Sequence, residues 1–279
     1  MNPLIDATEL AAALASPHAP RVLDVRWKLG GPPGLGEYER GHIPGAAYVD
    51  LDTELAGHGR PTDGRHPLPP IGVFQEAARR WGLDDGDAVV VYDDVAGGSA
   101  ARAWWLLRHA GVEDVRVLDG GLSAWIRAGG ELETGRPSVP SGGIRLAFGA
   151  LPTIDADAAA ALPATGTLLD ARAGERFRGE VEPVDPRAGH IPGAISSPTA
   201  DLLAEDGTML PASRLRAHFH ALGVKADEPV GVYCGSGVTA AHEILALELA
   251  GIPAALYPGS FSAWSNDPDR PVATGPATR

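Results

Sequence analysis

The chain has 279 residues, long enough for two domains of ordinary size that each bury a core of their own. Hydrophobic residues make up 44% and charged residues 21%, which excludes disorder as the main state, along with collagen, coiled coil and low-complexity fibre. Asp and Glu outnumber Lys and Arg by 36 to 23, giving a net charge of −13, so neither nucleic acid nor an anionic membrane is an expected partner, although a local basic patch can still collect a small anion.

At the start of the chain, Asp6-Ala7-Thr8-Glu9 predicts a helix, with Asp6 as N-cap and an acidic residue three positions on. No basic stretch precedes an apolar one there, and no apolar run approaches the roughly 18 residues that span a bilayer, so neither a secretory leader nor a membrane helix is expected. The apolar runs at 21–25 and 88–92 read as buried strands, and 100–110 reads as a helix stopped by Gly111. Residues 133–143 are rich in Gly, Pro and Ser, which is linker composition. Beyond them the pattern starts again, with strands at 168–171 and 230–233 and a helix over 239–250 stopped by Gly251. Alternating strands and helices predict the α/β class with mostly parallel sheets, whose ligands sit beyond the carboxyl ends of the strands.

The second series repeats the first in detail. Gly41-His42-Ile43-Pro44-Gly45-Ala46 recurs without change at 189–194. Val22-Leu23-Asp24-Val25-Arg26 is echoed by Leu168-Leu169-Asp170-Ala171-Arg172, and Gly120-Gly121-Leu122-Ser123-Ala124-Trp125 by Gly259-Ser260-Phe261-Ser262-Ala263-Trp264. Matches in the same order at a nearly constant offset predict two tandem copies of one domain, 1–140 and 141–279, because so long a period does not suit a solenoid.

One cysteine, Cys234, excludes an internal disulfide framework and a cysteine-rich zinc site, and fits a reducing, cytoplasmic setting. It follows the strand at 230–233 and opens the loop Gly235-Ser236-Gly237-Val238 before a helix that Thr239 is placed to cap. Gly235 and Gly237 let backbone N–H groups turn inward, and with the helix dipole they form an anion site around the sulfur. Such a setting lowers a thiol pKa from ~8.5 into a range of about 3.5–7.5. The first copy has Asp93-Asp94 at the matching point, the asymmetry expected of one active site carried by one of two duplicated domains.

Elimination narrows the chemistry. A cysteine phosphatase needs an Arg six residues after its Cys to clamp phosphate, and Ala240 stands there. A dithiol oxidoreductase needs a second cysteine. A peptidase needs a nearby histidine base, and His242 falls one turn into the helix. Sulfur transfer through a persulfide survives, with an outside thiol, cyanide or another nucleophile as acceptor.

These residues resemble the rhodanese family of sulfurtransferases in its tandem form, over nearly the whole chain. The paired Gly-His-Ile-Pro-Gly-Ala and Ser-Ala-Trp segments and the loop Cys234-Gly235-Ser236-Gly237-Val238-Thr239 carry the resemblance. The loop is similar to that of the 3-mercaptopyruvate-using branch. The thiosulfate-using branch has two basic residues where this chain has Gly235 and Ser236. The resemblance implies a catalytically silent first domain and a second domain with Cys234 as nucleophile. It implies that Arg176, with Arg187 as stand-in for a second family arginine, holds the donor carboxylate, while Gly235, Gly237, Val238 and Thr239 line the anion site. It also implies a Ser–His–Asp relay in which Ser236 and His42 match and the acid is missing, leaving Glu37 or Glu39 to replace it. His190 is read as structural. No metal or organic cofactor is implied, and a thioredoxin-like protein is the expected thiol acceptor. Two alternatives stay open: thiosulfate as donor, and a non-catalytic rhodanese-like binding or sensing module.

Overall fold

The apolar runs form short parallel strands, four of them almost wholly buried because helices cover both faces of a parallel sheet. The computed structural model describes residues 2–225 and 227–276. In chain order the strands are β1 (Leu4–Ile5), β2 (Arg21–Asp24), β3 (Ala47–Tyr48), β4 (Val89–Tyr92), β5 (Val115–Leu118), β6 (Thr167–Asp170), β7 (Ile195–Ser196), β8 (Val230–Tyr233) and β9 (Ala255–Leu256).

They make two sheets, ordered β1-β5-β4-β2-β3 and β7-β6-β8-β9, with every pairing parallel. The central register repeats: Arg21 to Asp24 face Val89 to Tyr92, and Thr167 to Asp170 face Val230 to Tyr233. The counterpart of β1 in the second sheet is a single bridge, Thr153 to Leu256. In each sheet the chain steps outward from β2 or β6, then returns to the other side through β4 or β8, and that reversal opens a crevice at the strand ends.

Two compact units hold these sheets. One comprises Met1–Gly57, Pro69–Leu151 and Ala204–Met209; the other comprises His58–Leu68, Pro152–Leu203 and Leu210–Arg279. Each half of the sequence therefore contributes one short segment to the unit built mainly by the other half. The composition of 58–68 gives no sign of this.

The repeated motifs prove to be repeated core devices. At the end of β2, Asp24 is bonded by Arg26, whose Nη2 also donates to the Gly41 carbonyl at 2.7 Å. At the end of β6, Asp170 is bonded by Arg172, whose Nη2 donates to the Gly189 carbonyl at 2.7 Å. The hydroxyls of Tyr92 and Tyr233 accept from the Ile43 and Ile191 amides. Buried charges persist when paired and hydrogen-bonded, and here each pair pins the Gly-His-Ile-Pro turn to its sheet. Trp125 and Trp264 fill the two cores, each donating its indole N–H to a backbone carbonyl, of Glu131 and Pro271 respectively.

Candidate active site

The Cys234 loop lies at the carboxyl end of β8, an interior strand of its sheet. Cys234 is almost fully enclosed, and the Gly237 N–H points at its Sγ from 3.1 Å. Gly237 has φ +81°, which turns that amide inward at little steric cost only because the residue lacks a Cβ. The rest of the loop is held from outside. The Phe261 and Ser262 amides donate to the carbonyls of Cys234 and Gly235 at 2.9 and 2.8 Å, and the Cys234 amide donates to Ser260 Oγ. Ser260 adopts φ +52°, a left-handed conformation that costs a non-glycine residue energy and is held here by its hydroxyl's bond to the Tyr257 carbonyl. With those carbonyls bonded outward, the loop holds the Gly237 amide toward the sulfur.

Val238 takes the N-cap position of the helix Thr239–Ala250, and no side chain caps it. Thr239 is thus the first helical residue rather than the cap, since Val238 already has helical dihedrals. Gly251 ends the helix in the left-handed conformation, as its sequence position predicts.

Ser236 has a histidine partner that sequence reasoning missed. Its Oγ lies 2.7 Å from Nδ1 of His66, and both residues are buried. His66 comes from the 58–68 segment, which is fastened to this unit by the Arg65 amide donating to Ser262 Oγ at 3.0 Å.

His42 does not take that place. Its ring stacks on Tyr38 at 4.0 Å, its Nδ1 bonds the Tyr38 carbonyl at 2.9 Å, and its Nε2 faces Glu133 at 3.7 Å. His190 repeats the arrangement, stacked on Phe177 at 3.7 Å and bonded to the Phe177 carbonyl at 2.8 Å. Both histidines therefore fasten their turns to the preceding helix, and the relay assignment of His42 is corrected. Glu37 pairs with Lys28 and Arg40, and Glu39 with Arg136, so neither carboxylate serves His42.

The arginines also separate. Arg176 leans on the loop: a Cβ built on Gly235 would lie 3.4 Å from its Nη1 and 2.9 Å from Nη2 of Arg65. Arg187 is not part of this cluster. Its guanidinium donates to four carbonyls, of Trp264, Ser265, Asp267 and Arg270, and so ties off the end of the helix Ser260–Asn266. With four of its five N–H donors spent on the end of that helix and the turn after it, it is corrected from donor ligand to structural cap, and Arg65 is the second guanidinium at the loop.

Two carboxylates answer these arginines. Glu182 accepts from Arg176 and from the amides of Val184 and Asp185. Burial acts against its charge, but those bonds win and hold it below the usual carboxylate range. Asp185 bridges Arg65 and Arg176, and burial pushes it up in spite of both cations. Among the described residues, no group of three or more His, Cys, Asp or Glu side chains could hold a metal ion, and no helix is long and apolar enough to cross a membrane.

Known proteins share this duplicated architecture. The rhodanese-like domain model matches residues 6–128 and again 155–267. A Mycobacterium tuberculosis protein provisionally named thiosulfate sulfurtransferase SseB is 48% identical over 279 residues, 98% of each chain. A Pseudomonas aeruginosa protein provisionally named 3-mercaptopyruvate sulfurtransferase is 49% identical over 280 residues, again 98% of each chain. The crystal structure of the 3-mercaptopyruvate sulfurtransferase SseA from Escherichia coli superimposes with a TM-score of 0.84 at 36% identity, covering 93% of this chain and 99% of that one.

Proposed function

The chain belongs to the rhodanese-like domain family of sulfurtransferases, and from that premise we propose that it takes a sulfur atom from 3-mercaptopyruvate onto Cys234 and passes it to an outside thiol or to cyanide. The single observation carrying this reading is the Gly237 amide aimed at Cys234 Sγ in a loop with Arg65 and Arg176 beside it.

The Cys234 thiolate attacks the donor sulfur, the carbon–sulfur bond breaks, and its electron pair leaves as pyruvate enolate. Arg65 and Arg176 are the cations available to the donor carboxylate, and the loop amides meet the persulfide charge. Ser236, bonded to His66, supplies the proton that turns enolate into pyruvate. An external thiol, of a thioredoxin-like protein in a reducing cytoplasm, then attacks the outer sulfur and regenerates Cys234. The unit bearing Asp93 is catalytically silent, because a carboxylate cannot accept sulfane sulfur.

Thiosulfate as donor has one observation in its favour: the two guanidinium groups restore beside the loop the positive charge that Gly235 and Ser236 lack. The test is kcat/KM for both donors with cyanide and with reduced thioredoxin. The reading expects 3-mercaptopyruvate to win with either acceptor, and a clear preference for thiosulfate would overturn it.

A further inference from the structure

Beside the nucleophile loop, the two arginines already hold an anion. One Asp185 oxygen accepts from Arg65 Nη1 and the other from Arg176 Nη2, the latter at 3.1 Å, as the carboxylate of a bound ligand would bridge them. Asp185 is held there by the turn before it, since Glu182 takes both the Val184 and Asp185 amides on one oxygen.

This bridge differs from the permanent ion pair nearby. Arg172 has a side chain only 2% exposed and spends its guanidinium on Asp170, Glu182 and the Gly189 carbonyl. The side chains of Arg65 and Arg176 are 26% and 15% exposed, and the buried Nε of Arg65 has no hydrogen-bond acceptor among the described residues. An orphan guanidinium donor beside a nucleophile loop is a place for a ligand oxygen. Gly235 fits the same arrangement, because a Cβ there would lie 2.9 Å from Nη2 of Arg65, which would have to shift.

We propose that Asp185 is a specificity-determining residue, an internal carboxylate seated on Arg65 and Arg176 that an anionic donor must displace. It rests on the sulfurtransferase reading given above, and it names the feature that grades donors by charge. Once displaced, the Asp185 carboxylate stays close and repels the incoming anion. That repulsion doubles for a compact dianion relative to a monocarboxylate, so Asp185 disfavours thiosulfate-like donors more than keto acids.

The test uses the full chain carrying Cys234→Ser, so that no turnover intervenes, and measures by calorimetry the Kd of two unreactive probes, pyruvate and inorganic sulfate. Adding Asp185→Asn is expected to tighten pyruvate at least about tenfold and sulfate by more, since one removed like charge at contact distance is worth about fivefold in bulk water and more beside a protein surface. Asp185→Ser is measured alongside in case the Asn variant fails to fold, and Arg65→Gln is expected to weaken sulfate. Unchanged or weaker binding of both probes to the folded neutral variants would overturn the displacement, and equal tightening of both would overturn the grading by charge. Because Cys234 is absent throughout, these outcomes are separate from any failure of the persulfide chemistry itself.

Discussion

The two strand-end loops of this duplicated chain solve one electrostatic problem in two ways. After β4, the fully buried Asp93 fills its own loop. Its Oδ1 accepts from the amides of Val95 and Gly97 at 2.9 and 2.8 Å, and its Oδ2 from those of Ser99 and Ala100 at 2.7 and 2.8 Å. After β8, the matching residue is Cys234, with the Gly237 amide at its sulfur. The Asp93 carbonyl accepts from the Leu122 amide at 2.8 Å, as the Cys234 carbonyl accepts from that of Phe261 at 2.9 Å, so the loops are anchored alike. In both copies, then, loop amides turn toward the residue that follows the strand, a carboxylate in one and a thiol in the other. The helix that anchors each loop starts at different residues: Gly121 has φ +58° where Ser260 has φ +52°, so the copy with Cys234 accepts a strained serine where the other uses glycine.

The comparison breaks most visibly at Asp93. Asp93→Ala leaves four amides, three of them buried, without an acceptor and is expected to lower stability by about 3–5 kcal/mol, while the folded fraction keeps its turnover number. Denaturant unfolding with activity scored per folded molecule checks it; a large fall in specific activity would mean that this copy is not silent. The paired histidines come next. His66→Gln is expected to reduce kcat for 3-mercaptopyruvate about 100-fold, as loss of general acid–base assistance does. His42→Gln is expected to lower the melting temperature and spare kcat. Steady-state kinetics and thermal melts on both variants separate the roles, and a kcat loss confined to His42→Gln would reverse the assignment.

The arginines give a smaller contrast. Arg176→Gln is expected to raise KM for the keto acid about tenfold, whereas Arg187→Gln, which uncaps a helix, is expected to destabilise the fold by about 1–2 kcal/mol and leave KM unchanged. Initial-rate curves at matched folded concentration decide it. The smallest effect belongs to Glu243, fully buried on the Thr239–Ala250 helix, whose carboxyl burial pushes well above the usual range. The folded chain keeps this proton while the unfolded chain loses it above its ordinary pKa, so stability falls as pH rises from there toward the folded value. Glu243→Gln is expected to match the parent near pH 5 and to exceed it by about 1–2 kcal/mol at pH 8, read from unfolding curves at the two pH values.

Much of this site was legible because the chain is its own comparison. Repetition located both sheets, both Gly-His-Ile-Pro turns and the odd cysteine in one copy. Repetition also misled at His42, since a motif present twice draws attention while its structural duty is shared by both copies. The partner of Ser236 lies where no twin exists, in the Arg65-His66 dipeptide of a Gly- and Pro-rich stretch whose composition does not point to it. Arg187 was misplaced because a shortened loop hides register; in space Asp185 stands on the two guanidinium groups and Arg187 turns away. Nothing in residue order distinguishes an arginine that caps a helix from one that faces a loop.

A sulfur atom carried on Cys234 is detected by intact-protein mass spectrometry after brief exposure to 3-mercaptopyruvate without acceptor. The chain is expected to gain the mass of one sulfur atom, cyanide or a thiol to remove it, and Cys234→Ser to gain none. A chain that stays at its original mass, or a Cys234→Ser variant that gains the same sulfur, would contradict that expectation.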